Sequence, residues 1–299
     1  MSGASGLIGR RLTAALGPRY EVVRLVRSAG AEPDRFVNRD ILWNPGNRAD
    51  WVKELAGALA VINLSGEPIA GKRWTPSQKM KLKDSRILTT RALVDAISKV
   101  EPKPKTLINA SAVGFYGPRG GVVLNENDPA GGGFLAEVCQ EWEREAQKAA
   151  AFGVRVVNLR TGIVLAKEGG ALSKMLPPFK ACLGGPLGSG NQVMSWIYIE
   201  DEVNAIMKLL EDSSLSGPVN LTAPHPVSMR EFAQTLGRVL NKPSCFAVPG
   251  FMLKLLLGEM SEMLLTGQNV TPQKLLNAGF RFKFETLEPA LRHLLSQAV

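Results

Sequence analysis

The feature that most constrains the fold is a glycine-rich turn at the start of the chain. MSGASGLIGRRL spaces Gly3, Gly6 and Gly9 as GxxGxxG, directly ahead of a helical pattern, LIGRRLTAAL (7–16). Glycines at such a turn let an anionic group approach backbone N–H donors that a Cβ would screen, at a helix N-terminus whose unpaired donors and dipole favour negative charge. The same spacing also suits a tight turn that packs a helix on a strand. A turn of this kind is delivered by a buried central strand, yet only Met1 and Ser2 precede Gly3. The expectation is therefore a first strand missing from this sequence, whose start falls about six residues late, a usual strand length.

Downstream, β-rich apolar runs alternate with helical patterns. The strands are YEVVRLV (20–26), ALAVINL (58–64), TLINASAV (106–113) and VRVVNLRTGIVL (154–165); between them SRILTTRALVDAISKV (85–100) and AEVCQEWEREAQKAAAFG (136–153) read as helices. This alternation is the signature of a parallel sheet covered by helices. Gly153 suits a left-handed helix end. After about residue 166 the texture changes: LGGPLGSGNQVMSWIYIEDE (183–202) leads to a helix near 201–211, a strand at 218–224, and helical patterns at 228–240, 249–265 and 272–278.

The strand after the glycine turn selects the dinucleotide that such a turn would bind. It ends in RLVRS, placing Arg27 where an NAD site usually carries Asp or Glu for the ribose hydroxyls. A guanidinium there pairs with the extra phosphate of NADP, which makes NADP the favoured cofactor. Glu32 and Asp34 keep NAD open, and Arg27 is otherwise a plain surface arginine.

Composition narrows the partners. Net charge is +9, from 36 basic and 27 acidic residues, but it is scattered, with RR (10–11), GKRW (71–74) and KMKLK (79–83) as the densest clusters. Without a basic stripe or interleaved aromatics this points to a solvated surface or small anionic ligands and to no nucleic acid. Cys139, Cys182 and Cys245 are far apart, and His225 and His293 do not cluster with them, so neither a disulfide framework nor a metal site is expected. The most apolar stretch, FMLKLLLGEMSEMLL, is interrupted by Lys254, Gly258, Glu259 and Glu262, so no membrane span is expected. A cytoplasmic compartment follows as the default.

Four motifs together resemble the extended short-chain dehydrogenase/reductase superfamily, in its NAD-dependent epimerase/dehydratase group: SGASGLIG, AVINLSGEPI, INASAVGFYG and WIYIEDEVNAI. More narrowly, GEPIAGKRWT, SRILTTRALV, LRTGIVLAKEGGAL, MLPPFKACLGGPLGSGNQ and GQNVTPQKLLNAGFRF are similar to an atypical branch, sometimes labelled cell-division inhibitors, that closes with a small C-terminal domain of unassigned role. The resemblance implies an α/β, doubly wound Rossmann-type parallel sheet. Residues 1–166, with later strands, would form the dinucleotide-binding domain, and 167–299 a smaller α/β substrate lobe that includes the small domain at about 248–299. Cofactor contacts would come from Gly3, Ser5, Gly6, Leu7, Ile8, Arg27 and the NLSG turn, Asn63, Leu64, Ser65 and Gly66.

Typical members move a proton with Ser or Thr, Tyr and Lys, the last two as YxxxK, the lysine lowering the tyrosine pKa. Aligned on those motifs, this chain carries Ala112 at the hydroxyl position with Ser111 beside it, Leu135 at the Tyr position and Cys139 at the Lys position. The standard Ser-Tyr-Lys triad is absent. Substitutes for acid/base work are Tyr116, Glu67 and Ser111, although Glu67 could instead pair with Lys72 or Arg73, and an unassisted phenol titrates near ~10. Cys139 is either a pocket thiol or a small core hydrophobe. Lys72, Arg73, Trp74 and Arg86 could meet an anionic or aromatic substrate group or simply be surface charge; Met194 and Trp196 could line the pocket or pack beneath it. The loop with Gly184, Gly185, Gly188 and Gly190 is a lid or a connector.

These residues imply an atypical NAD(P)-dependent oxidoreductase or epimerase-like enzyme acting on a small polar substrate, nucleotide-linked ones included. The alternative is a catalytically silent NADP-binding regulatory or sensor protein. The helices at 85–100 and 136–152 either offer a surface for a homodimer, as such pairs do in many relatives, or turn their apolar faces to the sheet.

Overall fold

A computed structural model describes residues 1–28, 35–46 and 51–296. The chain begins with α1 (Leu7–Leu16), β1 (Val23–Val26), β2 (Arg39–Leu42), β3 (Ala60–Asn63), α2 (Pro76–Ile97), β4 (Thr106–Ala112), β5 (Val123–Leu124), α3 (Phe134–Gln147) and β6 (Arg155–Thr161). It continues through β7 (Ile163–Leu165), α4 (Gly170–Lys180), β8 (Val193–Met194), β9 (Trp196–Tyr198), α5 (Ile199–Glu211), β10 (Gly217–Leu221), β11 (Val227–Ser228) and α6 (Met229–Leu240). The last segment holds α7 (Gly250–Leu257), α8 (Glu262–Leu265), β12 (Asn269–Val270), α9 (Gln273–Asn277) and α10 (Leu287–Ser296).

Four strands pair in parallel in the order β10, β6, β4, β3, and β1 pairs in parallel with β2. Ser2 joins the two groups, bridging in parallel to Leu25 on one side and Asn63 on the other. Backbone bonds stitch this seam: Leu25 N to Met1 O (2.7 Å), Ser2 N to Ile62 O (2.9 Å) and Leu64 N to Ser2 O (3.1 Å). Met1 and Ser2 thus stand where the central strand of a doubly wound sheet would lie.

Alternation along the strands explains why helices cover both faces. Ile62, Ile108 and Val157 join Leu12 of α1 and Ile206 of α5 in one core, while their neighbours Val61, Leu107 and Val156 join Leu93 of α2 and Ala146 of α3 in the other. A separate core beyond the sheet gathers Leu172, Phe179, Trp196, Phe232 and Leu291.

Local chemistry sets the boundaries. Helix α2 starts nine residues earlier than its apolar pattern because Thr75 caps it, its hydroxyl accepting from Gln78 N at 3.2 Å, with Pro76 in the first turn. After α3 a short 3-10 turn runs to Gly153, which is left-handed at φ 76°. The run 154–165 is two strands, because Gly162 lies where any Cβ would come within 2.4 Å of Ser195 O. There β7 leaves the main sheet and pairs with β9. The helical run 249–265 likewise breaks at Gly258, φ +61°.

Candidate functional site

The turn at residues 3–9 is built by glycines with distinct roles. Gly3 has φ +73° and abuts the chain leaving β3, so that a Cβ would lie 2.5 Å from Leu64 C and O. At Gly9 a Cβ would meet Gly3 O at 2.3 Å. Gly6, which precedes α1 at φ −71°, has only Gly3 O nearby, at 3.3 Å. Its open side faces a cleft of about 340 Å³ lined by Gly3, Gly6, Leu7, Ile8, Gly9, Leu64, Ile163, Val164, Gly170 and Ala171.

No side chain caps α1 and no acidic residue occupies its first turn. The donors and dipole of that end therefore point at the cleft uncompensated, which fits the pyrophosphate of a dinucleotide. Arg27 follows β1 directly and is exposed, positioned for a charge beyond that strand's end. Arg24 cannot share this task, because its guanidinium holds Asp40 through both oxygens at 2.6 and 2.7 Å. Glu32 and Asp34 lie outside the described residues. An ion pair between Arg11 of α1 and Glu168, after β7, ties the two walls of the cleft together.

In the NLSG turn, Leu64 lines the cleft, whereas the Asn63 amide is turned inward. It accepts from Ser2 Oγ (2.8 Å) and donates to Thr90 Oγ1 (2.9 Å) and Asn109 Oδ1 (2.8 Å), so this side chain fastens the turn to the sheet. Ser65 is half-buried and Gly66 exposed. Ser5 is exposed at the outer edge of the glycine turn, and its carbonyl accepts from Arg10 Nη1 at 2.8 Å.

The acid/base candidates separate. Ser111 Oγ donates to Glu143 Oε1 at 2.7 Å; Glu143 grips Arg160 with both oxygens at 2.9 Å; Arg160 Nη1 donates to Tyr116 Oη at 3.0 Å; and Tyr116 donates to Asn220 Oδ1 at 2.7 Å. Burial pushes the Tyr116 phenol above its ordinary value, with the Arg160 charge opposing. Tyr116 thus sits within a buried polar chain rather than lining the glycine cleft. Glu67 is half-buried, and its Oε1 receives only a 3.5 Å bond from Gln78 Nε2. Among the described residues neither Lys72 nor Arg73 pairs with it; Arg73 instead reaches Leu255 O at 3.5 Å. Cys139 is buried, and desolvation raises its thiol to about 11.

The remaining candidates divide between two environments. Trp74 is buried, donates to Ile69 O at 3.0 Å and packs with Leu82, Met260, Phe134 and Leu135, under the segment that follows α7. Arg86 is buried with its guanidinium against Gly66. Met194 and Trp196 belong to the separate core beyond the sheet, Trp196 being fully buried with Nε1 bonded to His225 O at 3.0 Å, so both pack beneath the site and neither lines the glycine cleft. The 184–190 loop is stitched to 246–248 by Phe246 N to Gly184 O, Val248 N to Pro186 O and Gly188 N to Val248 O. Sequence reasoning missed Ile163, Val164, Gly170 and Ala171 of the cleft wall; the only clue was Gly162, which turns the chain out of the sheet.

Comparison with known proteins identifies the family and the fold. Residues 1–221 match the family described as NAD dependent epimerase/dehydratase, and residues 248–294 match a domain of unknown function, DUF1731. The chain is 44% identical over 302 residues to the chloroplastic epimerase family protein SDR39U1 homolog of Arabidopsis thaliana, covering 99% of this chain and 86% of the relative. It is 43% identical over 295 residues to the epimerase family protein ML0860 of Mycobacterium leprae, covering 98% and 94%. Among solved structures it is similar to human epimerase family protein SDR39U1 (isoform 2) with NADPH, with TM-score 0.88, 31% identity, and coverage of 99% and 98%.

Proposed function

The chain belongs to the NAD-dependent epimerase/dehydratase family, and from that premise we propose that it is an atypical oxidoreductase or epimerase-like enzyme that binds NADP in the cleft at Gly3–Gly9 and acts on a small polar substrate, nucleotide-linked ones included. The observation that carries this reading is the open side of Gly6 at an uncapped, uncompensated helix N-terminus. The human relative solved with NADPH and the exposed Arg27 at the end of β1 favour NADP over NAD.

Bound there, a nicotinamide dinucleotide supplies a hydride donor or acceptor for the substrate. The chain's own part is then to bind and orient. Backbone donors of the Gly6–Gly9 turn hold the pyrophosphate, Arg27 the outer phosphate, and Leu64, Ile163 and Val164 keep water from the cleft floor. Glu67, which lacks an ion-pair partner among the described residues, is the carboxylate available to hold a proton at the carboxyl end of β3. The cofactor half comprises 1–166 with later strands, 167–299 forms the substrate lobe, and the α2 and α3 faces provide a homodimer surface in a cytoplasmic protein.

Calorimetric titration with NADPH and NADH tests the reading. The expected result is preferential NADPH binding that Arg27→Ala weakens by about tenfold or more, the worth of one charge-assisted phosphate contact. Binding of neither nucleotide would return the glycine turn to a structural role. A second reading, a sensor that binds NADP without turnover, draws support from Leu135 at the tyrosine position and from the raised thiol of Cys139. NADPH binding with no hydride exchange across a panel of carbonyl and nucleotide-sugar substrates would favour it.

A further inference from the structure

Among the described residues, three arginines are at least nine-tenths buried: Arg24 (7% exposed), Arg86 (8%) and Arg160 (3%). Arg24 and Arg160 satisfy the same edge of the guanidinium in the same way. Arg24 Nε and Nη2 hold the two oxygens of Asp40, and Arg160 Nε and Nη2 hold the two oxygens of Glu143. Arg86 departs from this pattern. Its Nη1 donates to Leu82 O at 2.8 Å and more weakly to Ser85 Oγ at 3.5 Å, and its Nη2 donates to the Glu67 backbone carbonyl at 3.0 Å. No carboxylate pairs with it and Nε has no acceptor among the described residues.

Burial without a counter-charge is costly for a guanidinium, and desolvation dominates its lowered pKa. The Trp142 ring, 5.2 Å from the guanidinium carbon, offsets part of that cost. Gly66 lies over the guanidinium, where a Cβ would come within 3.1–3.4 Å of Cζ, Nη2 and Nε. Gly66 is two residues beyond Leu64, which lines the glycine cleft, so the backbone over the guanidinium is at most about 7 Å from a cleft residue. On α3, the Cys139 thiol lies near the guanidinium, and the Glu67 carboxylate acts on it from the other side of the turn without pairing with it.

We propose that the Nε/Nη2 edge of Arg86 is the anion-binding element of the substrate subsite and selects a substrate that bears a carboxylate. The protein itself shows the matching partner twice, since the equivalent edges of Arg24 and Arg160 each take a planar carboxylate. The glycine turn already provides donors for the cofactor phosphates, which leaves the Arg86 edge for the second ligand. Arg86 is thereby a specificity-determining residue, and Gly66 is glycine so that the guanidinium can lie flat beneath the turn. The inference rests on reading the glycine cleft as a dinucleotide site.

The test uses the full chain, with Arg86→Gln and Arg86→Lys checked for thermal midpoint. NADPH binding is measured by calorimetry; pyruvate, lactate and inorganic phosphate are then titrated with and without saturating NADPH. The expected result is pyruvate or lactate binding to the wild-type chain that weakens by about tenfold or more in both variants, since lysine keeps the charge but loses the fork, while NADPH affinity stays within about twofold. Carboxylate binding that is absent from the wild-type chain, or unchanged in Arg86→Gln, overturns the proposal. So does binding of phosphate alone, or a loss of NADPH affinity in Arg86→Gln without an effect on carboxylates. Loss of NADPH binding in the wild-type chain would strike the cleft reading only, because the carboxylate titration without NADPH reports on Arg86 by itself.

Discussion

Gly3 and Gly6 stand three positions apart in one turn and are glycine for different reasons. At Gly3 both φ +73° and the 2.5 Å approach to Leu64 exclude a side chain, so Gly3→Ala is expected to destabilise the fold by about 1–3 kcal/mol, read as a lowered thermal midpoint. Gly6 has ordinary dihedrals and a single close neighbour, Gly3 O at 3.3 Å, so Gly6→Ala is expected to fold with a much smaller loss of stability and to lose NADPH affinity in a titration. A midpoint lowered equally by both changes would contradict this division. The spacing of these glycines was legible in the sequence because the turn is local. The chain from Ser111 to Asn220 was not, since Tyr116 and Asn220 meet across 104 positions. Glu202 was hidden in the same way. It is fully buried at the start of α5, bonded only to Thr161 Oγ1 at 2.8 Å, with Oε2 unpartnered, and desolvation raises its carboxyl to about 8. A raised carboxyl keeps a proton in the folded state that the unfolded chain releases near 4.5, so its stabilising effect is complete below that value and declines as pH rises to about 8. Glu202→Gln is expected to remove that decline, with midpoints matching wild type near pH 5 and exceeding it above pH 8.

Among the elements, β4, α3 and β6 converge on one ion pair. Arg160 of β6 holds Glu143 of α3, which in turn accepts from Ser111 of β4, and the Arg160 guanidinium lies 3.4 Å from the Phe115 ring centroid. Replacing Arg160 with Met would leave Glu143 buried and uncompensated, at an expected cost of about 3–5 kcal/mol in urea unfolding. The double change Arg160→Met with Glu143→Leu should recover most of that loss; if it recovers none, the pair is not the source of the effect. Periodicity and caps identified most elements and failed where a single glycine redirects the chain. Gly162 has no local signal strong enough to divide VRVVNLRTGIVL, because its constraint is the Ser195 carbonyl, brought there by β9. Gly258 likewise breaks an apolar run whose composition reads as one helix.

Across the whole molecule, the alternation of strands and helices was enough to read a parallel sheet covered by helices, because each strand must bury both faces and each helix one. Its doubly wound order was implied by the family resemblance. What the pattern could not convey is how the last fifty residues join the first half. Val123 and Leu124 of β5 pair with Asn269 and Val270 of β12, and the Glu126 carboxylate accepts backbone N–H bonds from both Asn220 and Lys274 at 3.1 Å. Asn220 Nδ2 donates to Thr271 O at 2.9 Å, and Ser195 Oγ donates to Gln268 O at 2.7 Å while accepting from Val270 N at 2.9 Å. The family boundary at residue 248 therefore runs through a region where buried polar groups on one side depend on backbone from the other. Scanning calorimetry is expected to show one endotherm with matching van't Hoff and calorimetric enthalpies. Two resolved endotherms would mean that these bonds do not couple the parts. With a single endotherm, a segment that comparison of sequences marks off at residue 248 melts as a piece of one cooperative unit, since its backbone serves the buried polar groups of Glu126, Asn220 and Ser195.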